Sequence, residues 1–234
     1  MTAMKGSIIG FALFLLVTST WAGTFTDNFD DGNMDGWTIH RPLGQGGTWK
    51  IENGELVLQV IDGPIEFTIG EPTWKDYTVS VKVKMTAHQP HQRWVEAAGI
   101  LTRWSSGLNS YVFLLGTGGL FGNFKGLGAH YVKNSDVPQH YESSPFDWKL
   151  NTWYELKVTA EGGQFKVYVD GKQVLSYVDA PHPSGAIGIG AAYAGTTAHF
   201  DDFSVTGDDV PGTVAAVDPK AKLATTWAAV KGGK

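Results

Sequence analysis

Between positions 91 and 146 the chain gathers side chains suited to holding a sugar. The six that carry this reading are Trp94, Arg103, Trp104, Tyr111, His130 and Tyr131. Flat aromatic faces can cover the C–H surface of a sugar ring, and nearby polar groups can meet its hydroxyls. Several of these residues stand in stretches rich in Gly, Ser or Pro, where aromatics are less often core. The competing reading is plain packing, which suits Trp49, Trp153 and Tyr154 and extends to Trp104 and Phe113. The ligand expected from this set is a carbohydrate, a cell-surface glycan included.

Catalysis finds less support. Cleaving a glycosidic bond by hydrolysis needs two carboxyl groups across the bond, one of them held protonated. The isolated acids in this region are Glu96, Asp136 and Glu142. The last two sit in a polar, Pro-containing stretch that reads as a solvated loop. His130 or His140 with Arg103 could exchange protons, yet no motif accompanies them. The chain has no cysteine nucleophile, no Gly-x-Ser-x-Gly, no phosphate loop and no His-Glu-x-x-His. No catalytic residue is therefore assigned.

The elements that must position these groups read as strands. From Tyr77 to Met85 apolar residues alternate with Thr78, Ser80, Lys82 and Lys84, the period of a strand wet on one face. Tyr154–Val158 and Phe165–Val169 alternate in the same way. Asn53-Gly54 and Asp170-Gly171 each separate two such runs, and these dipeptides favour the type I′ hairpin turn. Further strands are expected at 97–104, 109–115, 128–133, 186–193 and 198–206. No interior stretch has a helical period, and no fixed repeat suggests a propeller or solenoid.

Composition agrees. The 234 residues include 30 Gly, 12% aromatics and only 18% charged residues, which suits short strands joined by tight turns. The net charge of −5 leaves no basic patch, so nucleic acid is not an expected partner. Lys5, the apolar run Ile8–Val17, and Thr20 and Ala22 ahead of Gly23 read as a secretory leader over 1–22. The apolar run is too short to span a bilayer. The mature protein is expected in the periplasm or outside the cell, with no membrane insertion once the leader is removed. With no cysteine, it is held by core burial alone or by burial plus a metal. The sandwich is expected over 23–207. Residues 208–234 form a linker and tail, in which Leu223, Trp227 and Val230 share one face of a short helix.

The order of landmarks resembles the concanavalin A-like, laminin-G-like jelly-roll superfamily. Phe29-Asp30-Asp31-Gly32 leads to Gly36-Trp37, followed by Trp49 to Leu56 and then Ala98 to Arg103. Trp153 to Val158, Val169 to Lys172, Gly188 to Gly190 and Phe200 to Val205 complete the series. The resemblance implies an all-β, two-sheet antiparallel jelly-roll sandwich. The layout is shared by the bacterial family named for 3-keto-disaccharide hydrolysis and by family 16 glycoside hydrolases. The Glu-x-Asp-x-(x)-Glu cluster of family 16 is missing here; Glu96 to Trp104 offers one glutamate. The Gly-Ala-Ile-Tyr-Gly-like segment of the keto-disaccharide family is missing too, and Gly116 to Gly122 stands near its place.

The resemblance also implies a structural Ca²⁺ where the two ends of the domain meet, with Asp27, Asp30 and Asp201 as ligands. The alternative is turn capping by solvated aspartates. Asp31-x-Asn33-x-Asp35-Gly36 mimics half an EF-hand loop, but Pro42 stands where a bidentate glutamate is required. The sequence thus reads as an exported, carbohydrate-binding jelly roll without catalysis. A glycoside-cleaving enzyme of the keto-disaccharide type and a laminin-G-like adhesion module are the alternatives.

Overall fold

The computed structural model describes residues 22–211 apart from 42, 88–94, 107, 119–123, 135–138, 180 and 194. Trp94, Asp136, the tail helix and all but the last residue of the expected leader lie outside the described residues.

The strands are β1 (Gly23–Asp27), β2 (Thr38–His40), β3 (Gly46–Glu52), β4 (Glu55–Asp62), β5 (Ile65–Ile69), β6 (Tyr77–Ala87), β7 (Val95–Ser106) and β8 (Asn109–Gly118). They continue with β9 (Phe124–Lys133), β10 (Gln139–Pro145), β11 (Tyr154–Glu161), β12 (Gln164–Val169), β13 (Lys172–Val178), β14 (Ala186–Ala192) and β15 (Thr197–Gly207). Eight form one sheet, in the order β13-β12-β11-β6-β15-β4-β3 with β1 also paired to β15. Seven form the other, in the order β10-β9-β8-β7-β14-β5-β2. The two stack as the jelly-roll sandwich the resemblance implies.

Alternation explains the stacking. On β6, Tyr77, Val79, Val81, Val83 and Met85 are buried while their neighbours are not. Leu156, Val158 and Phe165 meet Ile100, Phe113 and Ile189 from the other sheet in one core. Each fully buried side chain of this size contributes about 1.5–3 kcal/mol, so register is set by which face must leave water. Both expected hairpins form, with positive φ at Asn53 and Gly54 and again at Asp170 and Gly171. Trp49 packs at the sandwich edge, its ring centroid 5.4 Å from that of Phe67.

Four strands escaped the sequence pattern. β2 is three residues long, β1 and β5 are five, and β10 is a polar edge strand. Glu142, expected in a loop, lies on β10 opposite Ala129.

Glycines stand where the strands of the seven-stranded sheet approach closely. A Cβ at Gly188 would stand 2.2 Å from the Phe67 carbonyl oxygen, and one at Gly99 would stand 2.2 Å from that of Phe113. Neither position tolerates a side chain without moving its neighbour. Gly188 faces away from the core, since Ile187 and Ile189 point inward and a Cβ there would meet Thr68 Cγ2 at 3.1 Å, whereas one at Gly99 would meet Leu156 Cδ2 of the opposite sheet at 3.0 Å. On the outer face Gly188 and Gly190 leave β14 bare of side chains, a hollow in the side-chain cover.

Candidate functional site

The hollow is where the described chemistry gathers. On β5 the inward positions are Ile65 and Phe67, so Glu66 and Thr68 point outward. Glu66 pairs with Gly190 on one side and with His40 on the other. A Cβ at Gly190 would stand 3.3 Å from Glu66 Cγ and 3.2 Å from Leu101 Cδ1. The Glu66 side-chain stem thus lies beside the bare backbone of Gly190.

Trp104 reaches this spot because of a β-bulge. Register breaks in β7 between Thr102 and Ser106 against β8, and between Ala186 and Gly188 of β14. Arg103 sits in the break with φ 49. One extra residue reverses the faces beyond it. Thr102 and Arg103 are both buried, and Trp104 comes out on the hollow side opposite Ala186. Its indole Nε1–H donates to Glu66 Oε2 at 3.3 Å. Its ring lies 4.1 Å from that of His40 at 31°, and His40 Nε2 is 2.9 Å from Thr68 Oγ1.

These surroundings set the protonation states. Desolvation pushes the Glu66 carboxyl up to about 7, and the indole N–H partly opposes this. Desolvation also lowers the His40 imidazole. At the far end of the same face, His130 is pushed down to about 4 by burial. Tyr141 leans over Gly128 beside it, with ring centroids of His130 and Tyr141 6.3 Å apart. Four strand steps separate Glu66 from His130, roughly 19 Å along the sheet. They therefore do not form an acid–base pair.

Of the six residues singled out in the sequence, Trp104 and His130 face the hollow. Arg103 and Tyr111 do not, and the expectation that they meet a ligand is corrected by their placement. Arg103 is 1% exposed and Tyr111 is fully buried. The Arg103 guanidinium donates to the carbonyls of His182 (3.2 Å) and Lys75 (3.3 Å) and lies 5.0 Å over the Phe165 ring. The bulge turns it between the sheets, where it ties β7 to the segments leading into β6 and β14. Tyr111 packs 4.5 Å from Phe165, between the sheets. Tyr131 leans on the same cluster, 6.0 Å from Tyr111 and 5.9 Å from His182. The sequence reading missed Glu66, His40 and Thr68. The available signal was the alternation of Ile65-Glu66-Phe67-Thr68-Ile69 behind Pro64.

The aspartates read as calcium ligands are engaged in turns. Asp27 accepts from the Phe29 amide (2.8 Å) and from Trp37 Nε1 (2.8 Å). Asp30 accepts from Asn28 Nδ2 and Asp201 from the Asp202 amide, each at 2.7 Å. Among the described residues no group of three or more His, Cys, Asp or Glu side chains could hold a metal ion.

A family model described as a 3-keto-alpha-glucoside-1,2-lyase-like domain matches residues 24–206. Among solved structures, the carbohydrate-binding module CBM66 from Bacillus subtilis is 21% identical with a TM-score of 0.55, over 74% of this chain and 96% of that one. The Emp47p carbohydrate recognition domain is 12% identical with a TM-score of 0.58, over 84% and 99%. Bacillus licheniformis beta-glucanase is 15% identical with a TM-score of 0.54, over 79% and 97%. At these identities the likeness is one of fold. No curated protein matches the sequence.

Proposed function

This chain belongs to the 3-keto-alpha-glucoside-1,2-lyase-like domain family, and from that premise we propose that it holds an uncharged saccharide in the hollow, beside Trp104. The observation that carries this reading is a glycine-bared outer face on which an aromatic ring and a buried carboxyl, raised toward its protonated form, stand together. A sugar needs a flat apolar contact and a few convergent polar groups. Trp104 offers the first, and Glu66 is the polar group beside it. The outward positions described on β2, β5, β14, β7, β8 and β9 hold no Lys or Arg. His40 and His130 are both shifted toward the neutral form. An anionic sugar would leave water without finding a counter-charge.

The test is a titration of isotope-labelled protein with neutral glucosides and, separately, with glucuronate. Neutral sugars should move the Trp104 indole and Gly190 signals, and glucuronate should not. If no neutral saccharide moves them, the reading fails.

A second reading, cleavage, is favoured by Glu66. In a 3-keto glycoside the C3 carbonyl acidifies the C2–H bond. The Glu66 carboxylate takes that proton, the C2 electron pair forms the C1=C2 bond, and the C1–O bond breaks. The departing oxygen then takes the proton back from Glu66, leaving an enone and a free alcohol. This elimination needs one carboxyl with a pKa near working pH, where hydrolysis of an ordinary glycoside needs two. Appearance of enone absorbance from a 3-keto glucoside, lowered about 10²-fold or more in Glu66→Gln, is the expected result. Absence of enone with the unaltered protein would sink this second reading.

A further inference from the structure

Glu66 is held by more than its own strand, and the path of contacts runs through His40. Trp104 belongs to β7, and Glu66 to β5; β14 lies between them. The indole must cross about 10 Å, two strand spacings, to reach the carboxyl. It can do so because β14 presents Gly188 and Gly190 on that face. Directly over those glycines stand Thr68 Cγ2, Leu101 Cδ1 and Glu66 Cγ, 3.1 to 3.3 Å from where a Cβ would be. The ring that stacks on the indole comes from β2: the His40 imidazole, at 4.1 Å and 31°. His40 is the direct cross-strand partner of Glu66, yet its Nε2 bonds to Thr68 Oγ1 at 2.9 Å. Thr68 is itself buried. The arrangement is a chain from Thr68 to His40 to Trp104 to Glu66.

We propose that His40 is a positioning residue that, through its stack on Trp104, keeps the indole N–H on Glu66 Oε2 and so leaves Oε1 as the oxygen that carries and exchanges the proton. In a neutral carboxyl group the carbonyl oxygen is the better acceptor, so the oxygen engaged by the indole is the unprotonated one. Oε1 is then the atom offered to a ligand in the hollow. The causes of the Glu66 shift are desolvation and the Trp104 hydrogen bond, with no charged neighbour contributing. On the strands flanking it, His40 is the other titratable group described on that face; Glu66 stands opposite His40 on one side and Gly190 on the other. Desolvation favours its neutral form, which suits a ring whose task is stacking.

The inference rests on the hollow being the working site, but its test needs no sugar. Carbon-13 titration of the Glu66 carboxyl in the full chain, with Glu66→Gln to assign the signal, reads it directly. Losing a hydrogen bond to a carboxylate, stronger than one to a neutral acid, should raise the Glu66 midpoint by about one unit in Trp104→Phe. His40→Ala should move it the same way, because the indole is no longer held. His40→Phe keeps the stack and should restore the original midpoint. A role confined to packing would lower Tm in His40→Ala and leave the midpoint unmoved. That outcome, or failure of His40→Phe to restore the midpoint, overturns the proposal. If the midpoints move as stated while no neutral saccharide binds, the functional reading fails and the positioning role stands.

Discussion

Replacing Glu66 by Gln should shift the stability difference between the two proteins in favour of the Gln protein as pH rises. Burial carries this carboxyl from 4.5 to about 7. Between those values the native state holds a proton that the unfolded chain has lost. Where the native state binds more protons than the unfolded state, stability falls with rising pH. The contribution is complete below about 4.5 and gone above about 7. At about 1.36 kcal/mol per unit, the span from 4.5 to about 7 amounts to about 3 kcal/mol. Glutamine keeps an acceptor for the Trp104 N–H and has no proton to lose. Asp27 and Asp201, whose carboxyls are also raised by desolvation, titrate in both proteins and cancel in the difference. Urea unfolding in steps from pH 4 to 8 should show the Gln protein gaining about 3 kcal/mol on the Glu protein across that window. In Tm this is roughly 6–12 °C for a domain of this size. A difference that stays constant with pH to within about 0.5 kcal/mol would refute the assignment of a buried, proton-holding carboxyl at Glu66.

Three further outcomes follow from the same geometry. Gly190→Ala puts a methyl 2.9 Å from the Ile65 carbonyl oxygen and against Leu101 and Glu66; it should cost about 1–3 kcal/mol and weaken saccharide binding, read by unfolding and by titration of the same sample. Arg103→Ala should destabilise by about 1–3 kcal/mol for each of the His182 and Lys75 carbonyls left without its donor, while saccharide affinity of the folded fraction stays within twofold or so; a selective loss of affinity would return Arg103 to the ligand. Asp27→Ala removes acceptors from the Phe29 amide and Trp37 Nε1 and should cost about 1–3 kcal/mol equally in EDTA and in Ca²⁺. A Tm rise on adding Ca²⁺ that disappears in Asp27→Ala would instead favour the calcium site.

Local sequence determined most of the scaffold. The alternation from Tyr77 to Met85 and the Asn53-Gly54 and Asp170-Gly171 turns act over a few residues, and side-chain period and positive φ are local properties. They appear in the folded protein as read. Two members of the proposed sugar set, Trp104 and His130, also face the hollow. What only the tertiary structure decided is which side of the sheet each group occupies, and which groups meet. The bulge at Arg103 reverses the faces of β7, sending the arginine into the core and Trp104 to the hollow. A bulge is a mismatch between two strands and is invisible in either strand alone. Glu66 looked like an ordinary polar position on a short run. Its raised pKa comes from burial beside β14, β7 and β2, whose residues lie 25 or more positions away in the chain, with the indole N–H opposing the shift. Desolvation is a property of the surrounding volume, so no reading along the chain could supply it.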